Sequence, residues 1–142
     1  MKTLLTFVLL LLGVQPAIGE EFKALAINAE ALSWQRLGER VLFTPVSGNE
    51  TTAGMYVYRV KFAKGHRNEP HYHTDDRTIT VLSGSIRVGY GDQVADADMV
   101  ELTAGGIYTE PAGQAHYVWA RDSDVILQVV GTGPSQRVSV AD

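Results

Sequence analysis

From Gly54 onward, turn residues interrupt this chain at short intervals, and the stretches between them are rich in β-branched and aromatic residues. Met55–Phe62, Thr78–Leu82, Ile86–Tyr90, Val100–Leu102, Ile107–Thr109 and the spans 115–120, 124–130 and 136–140 read as strands. Ser83-Gly84, Gly91-Asp92, Ala104-Gly105-Gly106, Pro111-Ala112-Gly113 and Arg121-Asp122-Ser123 read as the turns between them. Many short strands with glycine turns specify an all-β sandwich or barrel. Asn28–Leu32 reads as a short turn or a helical turn with Asn28 as N-cap, and noticeable helical character is confined to the short stretch Ala95–Met99. No internal repeat of the kind that builds a solenoid or propeller is present.

Upstream of this region, Leu32–Gln35 and Arg40–Thr44 read as two further short strands, separated by Gly38. Pro45–Gly54, with its Pro, Ser, Gly, Asn and Thr residues, reads as a surface loop. At the start, Lys2 precedes an apolar run from Leu4 to Val14, and Ala17-Ile18-Gly19 places small residues where a signal peptidase reads them. The run is too short for a membrane-spanning helix, which needs about 20 residues. The expected organisation is a signal peptide over 1–19, N-terminal strands and a loop over 20–53, and a barrel over 54–142. Export to the periplasm or the extracellular space follows, with no membrane attachment after cleavage at Glu20.

Composition narrows the function by exclusion. The 142 residues suffice for one domain with a core. A net charge of −4 without a basic run argues against nucleic acid as a partner. With no cysteine, disulfides, thiolate metal sites and cysteine nucleophiles are all excluded.

The chemistry-bearing residues are histidines. His71 and His73 are separated by one residue, so on a strand their side chains share a face. Neutral imidazole is the commonest protein ligand for a transition metal, and the pair offers two such nitrogens to one ion. His116 follows the Pro111–Gly113 turn and is a third candidate. His66 reads as an exposed loop residue.

Spacing around these histidines resembles the two motifs of the cupin superfamily. Gly65, His71, His73 and Gly84 fall on the first motif; Gly105, Pro111, Gly113 and His116 fall on the second. The resemblance covers residues 65 to 120. It implies a single-domain double-stranded β-helix, or jelly roll, around a central pocket, holding a divalent metal (iron, manganese, zinc or similar) and frequently forming a homodimer.

Two motif positions depart from the family. Arg77 stands where the motif has a glutamate ligand, and Ala120 where it has an asparagine. Arginine is always charged and has no free lone pair, so it cannot ligate a metal. Either three histidines act alone or another carboxylate joins them, Asp76 and Glu110 being the candidates. Arg77 shares strand parity with Ile79 and Val81; facing inward, its planar fork could clamp a substrate carboxylate. Facing elsewhere, it would pair with Asp75, Asp76 or Glu110. Glu110 could be a ligand, a general base, Arg77's partner or a solvated rim residue. Asp75-Asp76 reads as a solvated turn. Tyr108 is a second catalytic candidate, able to reach the pocket. Tyr117 and Trp119 lie opposite His116 in parity and should pack on the other sheet or a dimer interface.

The expected activity is metal-dependent chemistry on a small anionic molecule, dioxygenase-like or of another kind such as isomerisation. Cupin-fold thiol dioxygenases also use three histidines and an arginine, a similarity of site chemistry only. The alternative is a non-catalytic module that binds or senses a small ligand.

Overall fold

The computed structural model describes residues 22–140, so the expected signal peptide lies outside the described residues. Among the described residues, eleven strands are divided between two antiparallel sheets. They are β1 (Gln35–Gly38), β2 (Val41–Ser47), β3 (Gly54–Phe62), β4 (Arg67–His73), β5 (Arg77–Ser83) and β6 (Ser85–Tyr90). β7 (Val100–Thr103), β8 (Ile107–Glu110), β9 (His116–Trp119), β10 (Val125–Gly133) and β11 (Arg137–Ser139) complete them. One sheet has the order β1-β2-β3-β10-β5-β8 and the other β11-β4-β9-β6-β7. The all-β expectation and the jelly-roll arrangement are both realised.

Alternation drives this packing. Along β3, Tyr56, Val60 and Phe62 are buried, and on β5 and β10 Ile79, Val81, Val125, Leu127 and Val129 face the same core. Ile86, Val88 and Val118 close it from the other sheet. Each fully buried aliphatic side chain of this kind is worth about 1.5–3 kcal/mol. Gly84 sits between β5 and β6 with φ +75°, and a Cβ there would run into the Asp124 carbonyl. Only glycine allows so tight a reversal at that spot.

Several local expectations shift. The first strand runs over Gln35–Gly38 rather than Leu32–Gln35, because its pairing with β2 across Glu39-Arg40 decides its position. β2 continues through Pro45 to Ser47, where a loop was expected; Pro45 pairs with Tyr58 and the register shifts immediately after it. Such an irregularity accommodates the missing N–H. β1 and β2 extend the sheet of β3 edge to edge. A 3₁₀ turn occupies Ala29–Ala31, but the Asn28 side chain makes no capping bond. Tyr117 is covered by its own chain rather than by the other sheet: it is fully buried against Gly89, its hydroxyl accepting from the Ala95 N–H at 2.9 Å. The 3₁₀ turn at Asp96–Asp98 continues that covering segment. Trp119, on the same strand, lies between two guanidinium groups, Arg67 at 5.1 Å and Arg121 at 5.3 Å from its ring.

Candidate metal centre

β4 and β9 bring the three motif histidines together. His71 and His73 project from one face of β4, and His71 is the register partner of His116 on β9. All three are buried, and one ring nitrogen from each lies within 4.8 Å of the others. Two backbone amides of the preceding turn hold His116 in place. The Gly113 N–H donates to the His73 carbonyl at 2.8 Å, and the Ala112 N–H donates to Asp76 Oδ1 at 2.8 Å. Asp76 therefore anchors the turn and does not enter the cluster.

The ring nitrogens are sorted by their partners. His71 Nδ1 lies 2.8 Å from the Glu69 carbonyl and His116 Nδ1 lies 3.1 Å from the Gln114 carbonyl. A carbonyl can only accept, so both Nδ1 atoms carry the proton and both Nε2 atoms of the neutral rings present lone pairs. Metal-binding imidazoles are oriented in this way by their second nitrogen. His116 Nε2 and His73 Nδ1 are buried with no hydrogen-bond partner among the described residues. Burial pushes the His71 pKa down to about 4 and the His73 pKa to about 3, keeping both rings neutral. Buried imidazoles with ring nitrogens left unpaired fit a divalent transition metal.

Glu110 is not at the rim. It is 6% exposed, and its carboxylate lies against the histidines: Oε1 is 3.2 Å from His116 Nε2 and Oε2 is 3.8 Å from His73 Nε2. Burial raises its pKa, but His116, His73 and Arg77 outweigh that effect and hold the carboxyl below its ordinary value.

Arg77 faces inward and is the register partner of Glu110 across β5–β8, yet its donors are spent elsewhere. Nε donates to Asp75 at 3.3 Å, Nη1 to the Tyr58 hydroxyl at 3.0 Å and Nη2 to the Ser135 hydroxyl at 2.7 Å. Glu50, from the β2–β3 loop, comes within 3.6 Å of Nη2. Asp75 is buried, contrary to the solvated turn expected for it, because the Tyr56 hydroxyl donates to its Oδ2 at 2.6 Å and Arg77 neutralises it. Gly131, paired with Tyr56 on one side and Arg77 on the other, leaves the room for that contact; a Cβ there would lie 2.6 Å from Asp75 Oδ2.

A cavity of about 230 Å³ adjoins the histidines. Tyr108 lines it, and burial raises its pKa well above the ordinary value, keeping the hydroxyl protonated. Phe43, Val60, Phe62, Val118 and Leu127 give the cavity an apolar wall. His66 is half-buried rather than exposed; its ring stacks on Phe62 at 4.4 Å and it stands outside the cluster. Sequence reasoning missed Glu50, Tyr58, Ser135 and Arg137 as lining residues. The alternation of Tyr56, Tyr58, Val60 and Phe62 along β3 could have revealed Tyr58. Arg137 reaches the site only because β11 pairs with β4, opposite His73, and nothing in the local sequence announces that pairing.

Comparison with known proteins agrees with this geometry. Residues 58–131, just over half the chain, match the family model of the cupin domain, and the chain belongs to that family. No curated protein matches the sequence. Among solved structures, the polyketide cyclase RemF from Streptomyces resistomycificus aligns with a TM-score of 0.70 at 14% identity, over 84% of this chain and 87% of its own. An RmlC-like cupin from Shewanella frigidimarina aligns at 0.64 and 17% identity, over 78% and 92%. KdgF from Halomonas sp. aligns at 0.61 and 22% identity, over 75% and 91%. These similarities concern the fold.

Proposed function

We propose that this chain is an exported cupin that holds one divalent metal ion on His71, His73 and His116 and acts on a small anionic molecule in the adjoining cavity. The observation that carries the reading is the convergence of three buried imidazoles, two of them tied through Nδ1 to backbone carbonyls so that Nε2 is free. A bound divalent ion would supply Lewis-acid polarisation of a substrate oxygen. The chain's own residues bind and orient. The apolar wall excludes water from a substrate's hydrocarbon part, and the protonated Tyr108 hydroxyl donates to a substrate oxygen. Arg137, which lines the cavity and has no ion-pair partner among the described residues, attracts the anionic group. Arg77, engaged by Asp75 and Glu50, contributes field and shape to that wall. A small organic substrate is also in keeping with RemF, a polyketide cyclase of the same fold.

Two measurements test the reading. Purified protein incubated with zinc, iron or manganese should hold one ion per chain and convert, or consume oxygen with, a member of a panel of small keto acids, diols and thiols. Metal binding with ligand uptake but no turnover across that panel would leave a binding module instead. For export, mass spectrometry of the secreted protein should find Glu20 at the N-terminus; a full-length, membrane-extracted species would contradict it.

A further inference from the structure

Glu110 poses an electrostatic problem that the three histidines do not solve. Its carboxylate is buried, and no side chain among the described residues donates a hydrogen bond to it. Arg77, its neighbour in register, directs its guanidinium to Asp75, Tyr58 and Ser135. What Glu110 does face is His116 Nε2 at 3.2 Å, with no hydrogen bond between them. If the only ring proton of His116 is on Nδ1, towards the Gln114 carbonyl, its Nε2 lone pair meets a carboxylate lone pair unless a proton or a metal ion lies between them. A buried charge without a partner is costly, and two facing acceptors add repulsion.

A cation among these atoms removes both difficulties. Ligand atoms about 2.0–2.2 Å from one ion, at tetrahedral or octahedral angles, lie about 2.8–3.6 Å from each other. The 3.2 Å separation of Glu110 Oε1 and His116 Nε2 falls inside that range, whereas the 3.8 Å from Oε2 to His73 Nε2 lies beyond it and Glu110 stands outside the 4.8 Å group of the three histidines, so ligation needs a small rotation of its side chain. We infer that Glu110 is a fourth ligand of the metal held by His71, His73 and His116. The carboxylate excluded from residue 77 is supplied by the directly opposed residue of the neighbouring strand. The ion would then draw its ligands from β4 and β9 of one sheet and β8 of the other. This inference rests on the metal-binding reading above.

The test compares wild-type protein with Glu110→Gln, Glu110→Asp, His71→Ala and Asp76→Asn. Zinc affinity is read by competition with a chromophoric chelator, and the ligand set by the visible spectrum of the cobalt(II) form. Changing residues that only support a ligand lowers metal affinity 10–100-fold. Glu110→Gln should therefore weaken zinc at least ~100-fold and alter the cobalt spectrum. Glu110→Asp should do the same in lesser degree, and Asp76→Asn should do neither. Wild-type affinity and spectrum in Glu110→Gln, with binding lost in His71→Ala, overturn the fourth ligand and leave the three-histidine site standing. Wild-type protein that takes up no metal overturns both. Should the Glu110 variants not fold, diffraction from zinc-loaded wild-type crystals decides. A Glu110 oxygen at about 2.0–2.2 Å from the ion is the expected result. An ion held by His71, His73 and His116 and completed by water, with Glu110 outside its coordination sphere, refutes it.

Discussion

His71 and His116 face one another across the β4–β9 pair, their ring centroids 4.5 Å apart. The two strands are stitched together where the site needs them, so one ion can be reached from both without backbone movement. His71→Ala should abolish stoichiometric uptake of zinc or manganese, because two remaining imidazoles hold a first-row metal poorly in open coordination. Elemental analysis of the dialysed variant checks this. The metal-induced rise in melting temperature should vanish with the metal.

Acid should act on the metal-free protein in a defined window. Burial holds His71 near 4 and His73 near 3, whereas in the unfolded chain both titrate near 6.5. Between those values the unfolded state binds protons that the folded state refuses, so stability rises with pH. Stability is intact above pH 6.5 and is lost as pH falls towards 4, by at most about 1.4 kcal/mol per pH unit for each histidine. The reference imidazole value alone would place loss of metal near pH 6.5; burial moves proton competition at these two ligands lower. Thermal melts of chelator-treated protein from pH 7.5 to 4.5 measure the first effect, and zinc titrations across the same range the second.

Arg77→Ala should be a stability variant before it is a binding variant. It strips Asp75 of its cation while Asp75 stays buried, a change that costs about 3–5 kcal/mol. Urea unfolding of the metal-free protein reads this directly. Arg137→Ala should cost little stability, because Arg137 is exposed on a short edge strand, while weakening the binding of anionic ligands. An Arg137→Ala variant with unchanged ligand affinity would remove the anion-steering role.

Gly131→Ala should lower stability by about 1–3 kcal/mol, since the added methyl enters the space of the Tyr56 hydroxyl and Asp75 Oδ2. Pairing this change with Tyr56→Phe should give a non-additive result, because both substitutions act on one contact.

The histidine site was legible because its information is local. His71 and His73 share a strand face by parity, and the Pro111–Gly113 turn delivers His116 at a fixed spacing. The strands from Met55 to Val130 were legible for a similar reason, each being a short β-branched segment closed by a turn. Asp75 and Glu110 were not legible. Parity counting stops at turns, and the burial of each carboxylate depends on distant partners: Tyr56 for one, His116 and His73 for the other. The early strands were misplaced for a related reason. Leu32–Gln35 looks like a strand by composition, but β1 is wherever β2 finds a partner. Arg137 depends wholly on strand order, which no nearby residue encodes.

Trp119 gives the chain an optical readout of its own. It is one of two tryptophans, and the other, Trp34, lies outside the strands. The indole stands three residues beyond His116 on β9, opposite Arg67 on the strand that carries His71 and His73. With a guanidinium near it from Arg67 and another from Arg121, its emission is sensitive to the spacing of those charges. Chelation or reloading of the site that shifts β4 against β9 therefore registers as a change in intrinsic fluorescence, and occupancy can be followed in the unlabelled protein.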